Sequence, residues 1–347
     1  MEHSPDFERL RKALLCQEPD RVPLAELQVD IKEAFLGKPV PDARTNVEFW
    51  TKAGYDYTII FPFATKAWQL SESWSTSRTT RADGGETERK WAPEGTGIIR
   101  SQKDFEEFQW PDADKADYGL IEETAACLPP GMGLVCSVGG FWEFTRDLMG
   151  FEALSIALSD NPELVDGVFN RVGDMVYGAF LNMMDHKCID AVWFCDDIAY
   201  TGGLIVSPSI LRRYVFPRYK AMADICKSRG LPVIYHSDGD LWQVMDDLID
   251  IGINGLHPIE PKAMDISEVK SKVGDVLCLM GNIDLGYTLT RGTPEEVEFE
   301  VRQRITDIGP GGGYCLGSSN SVADYVPIEN YRAMIEAASK YGRYPIT

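Results

Sequence analysis

Short apolar runs recur along the chain at 22–27, 57–61, 133–137, 191–194, 232–235, 254–256, 276–280 and 313–316. Each is followed by a polar loop and then by a helix-like stretch. The runs are continuous rather than alternating, which suits strands of a sheet buried on both faces. Helix signals lie between them. The stretch 161–186 opens with Asn161 as cap, Pro162 in the first turn and Glu163 near the positive end. Ser207-Pro208 opens a helix predicted to run to about Arg229, with Gly230 closing it. Thr293-Pro294-Glu295-Glu296 opens another that ends near Ile308, and Pro327 starts the last, which ends near Gly342.

Roughly eight strand–helix alternations predict an α/β fold, a single (β/α)8 TIM barrel. A doubly wound open sheet is the alternative. The region 65–111 breaks the rhythm and is rich in Thr, Ser, Arg and Trp. We read it as a β-rich or irregular insertion after the second strand, covering the barrel mouth, so that residues 1–347 form one domain.

Composition narrows the function classes. Hydrophobic residues make up 44% and charged residues 25% of the 347, as in an ordinary globular protein. Asp and Glu (54) outnumber Lys and Arg (34), for a net charge of −20. That excess argues against a nucleic-acid groove and against docking on an anionic membrane. No apolar run reaches the roughly 20 residues of a membrane span. Residues 1–15 are charged and amphipathic, unlike a signal peptide. The 8 cysteines include no Cys-x-x-Cys pair and read as buried, reduced thiols of a cytoplasmic protein. No P-loop, His-Glu-x-x-His, Gly-x-Ser-x-Gly or strand-linked Gly-x-Gly-x-x-Gly motif occurs.

In such a barrel the chemistry sits where the strands end. Polar residues gather there: Ser137 to Glu143, Asp196-Asp197, His236-Ser237-Asp238-Gly239-Asp240, His257-Pro258-Ile259-Glu260, Gly281-Asn282-Ile283-Asp284 and Ser318-Ser319-Asn320. Asp240 and Asp284 read best as caps of the next helix. His236 and Asp238, two apart at a strand end, point the same way. They can share a divalent metal such as zinc, or form a hydrogen-bonded pair that holds one tautomer. Glu143, between Trp142 and Phe144, is either a buried acid of raised pKa or an exposed residue opening the next helix. Candidate catalytic residues are therefore Glu143, Asp196, Asp197, His236 and Asp238. Candidate substrate-binding residues are Trp142, His257, Glu260, Asn282, Ser318 and Asn320. Trp68, Trp74, Trp91 and Trp142 are either an aromatic pocket lining or plain core.

Three stretches carry a resemblance: 9–23 with Glu18-Pro19-Asp20-Arg21-Val22-Pro23, the segment Met280-Gly281-Asn282-Ile283-Asp284, and Gly312 to Ser318 followed by Pro327-Ile328-Glu329-Asn330. In that order they resemble the uroporphyrinogen decarboxylase superfamily over nearly the whole chain, which implies a single (β/α)8 barrel. The decarboxylase itself would hold its substrate's carboxylates with an Arg-rich segment. Here that region reads Glu26-Leu27-Gln28-Val29-Asp30, without arginine. Its Asp after the second strand is replaced by Ile60-Phe61-Pro62-Phe63, and its late Gly-His-Gly by Gly317-Ser318-Ser319. The thiol-acting corrinoid methyltransferases of the superfamily carry His-x-Cys and a later Cys as zinc ligands. The matching positions are His236-Ser237-Asp238 and about Ser318. The chain is most similar to the branch that demethylates aromatic methyl ethers. That resemblance implies a methyl transfer from a small, aromatic methyl donor to a cobalamin carried by a corrinoid-binding protein, with zinc on His236 and Asp238. A cofactor-free carboxy-lyase is the alternative it implies.

Overall fold

The structure, a computed structural model, describes residues 4–62, 75–80, 86–91 and 95–346, with the backbone alone for 75–80 and 86–91. Trp68 and Trp74, and the Trp91 side chain, lie outside the described residues. Seven strands form one parallel sheet whose spatial order is its chain order: β1 (Tyr57–Ile60), β2 (Gly133–Gly139), β3 (Ala191–Cys195), β4 (Val233–His236), β5 (Gly255–His257), β6 (Cys278–Ile283) and β7 (Tyr314–Ser318). Every pairing is parallel. β1, β4, β5, β6 and β7 are buried at every position, which explains their unbroken apolar runs.

The eighth stave departs from the predicted strand at 22–27. It makes a single parallel bridge, Leu24 to Leu316 on β7, rather than a ladder. Pro23 has no N–H to give. It still accepts from the Leu316 N–H, while Ala25 donates to the Leu316 carbonyl. On the other side the Tyr57 hydroxyl of β1 accepts from the Glu26 N–H and donates to the Glu26 carbonyl. The sheet is thus curled into a TIM-barrel-like fold, closed by one bridge and one side chain.

Helices cover the outside. Pro162–Met184 is capped by the Asn161 side chain, and Thr293 and Glu296 form a reciprocal capping box on Pro294–Ile308. The predicted helix from Ser207 is instead two, Pro208–Tyr214 and Phe216–Ser228. Pro217 opens the second, and its missing N–H and fixed φ break the run there. Phe7–Leu14 closes the end of the barrel away from the strand ends, joined through Phe7 N–H to the Gly131 carbonyl and through Arg9 to Asp20 and Asp56. Within 65–111 the described residues include an antiparallel pair, Ser75–Thr80 with Glu86–Trp91, and a helix, Gln102–Glu107, where only strand or irregular chain was expected. Ser101 caps that helix by accepting the Asp104 N–H. Among the described residues no helix is long and apolar enough to cross a membrane.

Candidate active site

The ends of β3, β4 and β5 sit side by side, with Cys195 paired to His236 and His236 to His257. This register brings Asp197, His236 and Asp238 together, each offering one ligand atom within 4.8 Å of the others. His236 Nε2 lies 3.6 Å from Asp197 Oδ1. The Asp238 N–H donates to Asp197 Oδ1 at 3.0 Å, and Asn320 donates to Asp238 Oδ2. Asp238 Oδ1 is buried and has no hydrogen-bond partner among the described residues. Burial, then the charges of Asp197 and Glu260, push the Asp238 carboxyl up to about 8. A divalent cation relieves that crowding, and an imidazole with carboxylates is a donor set zinc accepts. The donor set therefore fits a metal, which Asp197 could hold together with the two residues proposed from sequence.

The cluster opens into a mouth cavity of about 810 Å³. Its charged lining is Asp30, Asp197, Asp238, Glu260 and Asp284, with Lys262 as the one cation among the lining residues. Beside it lies an apolar recess of about 250 Å³, walled by Phe61, Val138, Phe144, Val176 and Ala179. Glu143 and Cys195 are its polar members along with Ser137. Glu143 stands in the first turn of helix Phe141–Met149 and is half-buried, between the buried acid and the exposed helix opener of the two sequence readings. Its side chain keeps 30% exposure, toward the recess. Burial, then Asp197 and Asp196, hold its carboxyl well above the usual range, against the opposing pull of Arg146.

Other candidates lie behind these walls. Asp196 is fully buried and accepts the N–H groups of Trp142 and Glu143, each at 2.9 Å, and the Tyr219 hydroxyl at 3.1 Å. Gly140, at the N-cap with φ +88°, has no side chain to cap that helix, and Asp196 does so from the next strand. Burial pushes its carboxyl up to about 7 despite those donors. Trp142 is core, fully buried and stacked near Phe169, not a cavity wall. His257 is fully buried behind His236 rather than at the mouth. Asn282 is buried too, and donates to the Ile259 carbonyl at 2.8 Å, tying β6 to the loop that carries Glu260. Ser318 turns away from the acids toward Glu26, and Asn320 occupies the place by Asp238 expected of it. Glu260 and Asn320 do line the cavity. Asp240 accepts from the Trp242 N–H, and Asp284 from those of Gly286 and Tyr287, so each braces the turn before the next helix rather than capping it, the N-caps being Leu241 and Tyr287.

Sequence reasoning missed Glu26, Asp30 and Lys262. A lone acid inside the apolar run 22–27 is the signal that marks Glu26. For Lys262 no local pattern exists.

Comparison with known proteins decides the family. The family model described as uroporphyrinogen decarboxylase (URO-D) matches residues 86–341. The chain belongs to this family. It is 26% identical over 163 residues to the methylcobamide:CoM methyltransferase MtaA of Methanosarcina barkeri, covering 47% of this chain and 45% of that one. It is 24% identical over 186 residues to the uroporphyrinogen decarboxylase of Mannheimia succiniciproducens, covering 52% and 50%. The chain thus spans about half the length of these curated relatives. A solved methyltransferase from Methanosarcina mazei shares the fold at TM-score 0.66 and 18% identity, over 96% of this chain and 98% of that one.

Proposed function

We propose that this member of the uroporphyrinogen decarboxylase family is a cytoplasmic methyltransferase. It removes the methyl group from a small aromatic methyl ether and passes it to cobalamin on a corrinoid-binding protein. The observation that carries this reading is the mouth itself. Even with Asp238 protonated, four further acidic side chains there outnumber one lysine, and a polycarboxylate porphyrinogen would be repelled. The recess beside it is apolar and, at about 250 Å³, just below the roughly 300–1,000 Å³ of ligand pockets, small enough to suit a single ring. The similarity to a methylcobamide:CoM methyltransferase supports the same chemistry. The insertion at 65–111 follows β1, whose C-terminal end lies at the mouth, and we take it as a cover for that opening.

An aryl ether leaves slowly unless its oxygen is neutralised as the methyl–oxygen bond breaks. The bonding electrons remain on the phenolic oxygen, and Glu143, held protonated by its surroundings, donates the proton that completes the phenol. Reduced cobalamin carried by the partner would supply the electron pair that takes the methyl group. Phe61, Phe144 and Val138 exclude water and orient the ring. Asp196 positions Glu143 through the backbone of helix Phe141–Met149. Asp197, His236 and Asp238 would hold a divalent cation, with zinc the best match, and it would supply Lewis acidity near the ether oxygen.

The test is to incubate the protein with a reduced corrinoid-binding protein and a panel of methoxyarenes, following phenol release. The expected result is phenol formed only when the corrinoid is present. Turnover of uroporphyrinogen without corrinoid, and none of any methoxyarene, would establish the carboxy-lyase reading instead.

A further inference from the structure

We propose that His257 is a positioning residue: it fixes the tautomer of His236 and leaves the His236 Nε2 lone pair facing Asp197 and Asp238. The inference rests on the divalent-cation reading of that cluster. His236 and His257 stand opposite one another on β4 and β5. Their Nδ1 atoms are 2.8 Å apart, and both rings are buried. Two ring nitrogens at that separation need one proton between them, since two lone pairs or two N–H groups would repel.

The far nitrogen of His236 makes the choice. Nε2 is 3.6 Å from Asp197 Oδ1, beyond a hydrogen bond, so that carboxylate does not draw the proton to Nε2. With the proton on Nδ1 and donated to His257, Nε2 is a bare lone pair. This is the arrangement of a metal-ligating histidine, whose other ring N–H is given to a fixed acceptor. The usual acceptor is a carboxylate or a carbonyl. A neutral imidazole does the same work without adding charge to a cluster that already holds Asp197 and Asp238, with Glu260 nearby. Trp193 fixes the acceptor ring, edge to face at 5.2 Å. To accept at Nδ1, His257 carries its own proton on Nε2; that N–H has no acceptor among the described residues, and none of them donates there to force the other tautomer.

The experiment titrates Zn²⁺ alone into metal-stripped protein, for the wild type, His257→Phe and His257→Asn. Loss of such a supporting partner typically weakens metal binding about 10–100-fold, and His257→Phe is expected to do so. In His257→Asn the amide oxygen accepts the same bond, and most of the affinity returns. With only 4 histidines in the chain, nitrogen-15 spectra of the metal-free wild type resolve each ring. They should show a proton on His236 Nδ1 and none on His257 Nδ1. That reading needs no substitution, so it stands even where a variant folds poorly. Zinc bound as tightly by His257→Phe as by the wild type, or a proton on His257 Nδ1, overturns the inference alone. A wild type that takes up no Zn²⁺ overturns the cation reading and the inference with it.

Discussion

Glu26 should give the protein an inverted pH dependence of stability. Its carboxyl is fully buried at the barrel seam, accepting the Ser318 N–H at Oε1 over 2.6 Å. Ser318 Oγ is 2.8 Å from Glu26 Oε2 and 2.8 Å from the Asn320 carbonyl. One hydroxyl proton cannot fully serve both, and a carbonyl only accepts. The contact to Oε2 is best satisfied when the carboxyl carries its own proton. Burial pushes Glu26 from 4.5 up to about 8, against the opposing pull of the Ser318 N–H and hydroxyl. Between those values the folded state binds more protons than the unfolded state, so stability falls as pH rises. At 1.36 kcal/mol per unit, Glu26 removes roughly 3–4 kcal/mol between pH 5 and pH 8. In Glu26→Gln the amide donates to Ser318 Oγ and its oxygen still accepts the Ser318 N–H, but nothing titrates. Urea unfolding of metal-free protein at pH 5, 6.5 and 8 should show the wild type losing that much more stability than the variant. Asp56, Asp196 and Asp238 shift in the same sense in both proteins and cancel in the difference. Parallel profiles would refute the reasoning.

Three further outcomes are expected. Glu143→Gln should lower kcat about 100–10,000-fold with KM little changed, and the wild-type kcat should fall as pH rises through the raised Glu143 pKa, measured by phenol release. Asp196→Ala leaves the Trp142 and Glu143 N–H groups without their acceptor, while the Tyr219 hydroxyl still reaches the Cys195 carbonyl at 3.3 Å. At about 1–3 kcal/mol per unsatisfied group it should cost about 2–6 kcal/mol in urea unfolding, and a smaller loss would mean that water replaces the carboxylate. Asp238→Asn should lose Zn²⁺ uptake while gaining stability over the metal-free wild type at pH 9, because a group raised to about 8 no longer has to ionise there.

Seven of the eight staves were legible because their apolar runs are continuous and buried on both sides. The eighth was legible as an extended run, but not as a single bridge, because the Tyr57 hydroxyl that replaces a ladder comes from another strand. The helix break at Phe216 was available from Pro217, whose effect outweighs the periodicity around it. At the site, His236 and Asp238 could be paired because they share one strand end. Asp197 enters the same cluster only through the β3–β4 register, which one strand's sequence does not contain. Trp142 and Asp196 illustrate the converse. Both neighbour the site in sequence, yet one is drawn into the core against Phe169 and the other is spent on a helix that Gly140 cannot cap. Ser318 and Asn320 differ for a similar reason, since Glu26 captures the first and leaves Asp238 to the second.

The most direct test of the account follows the methyl group itself. A methoxyarene labelled with carbon-13 in its methyl group is mixed in a single turnover with the protein and a reduced corrinoid-binding protein. The account predicts that the label moves to the corrinoid in step with phenol release, and that Glu143→Gln slows both together. Label that stays on the arene with every donor, while carbon dioxide is released from a carboxylated substrate without corrinoid, would contradict it.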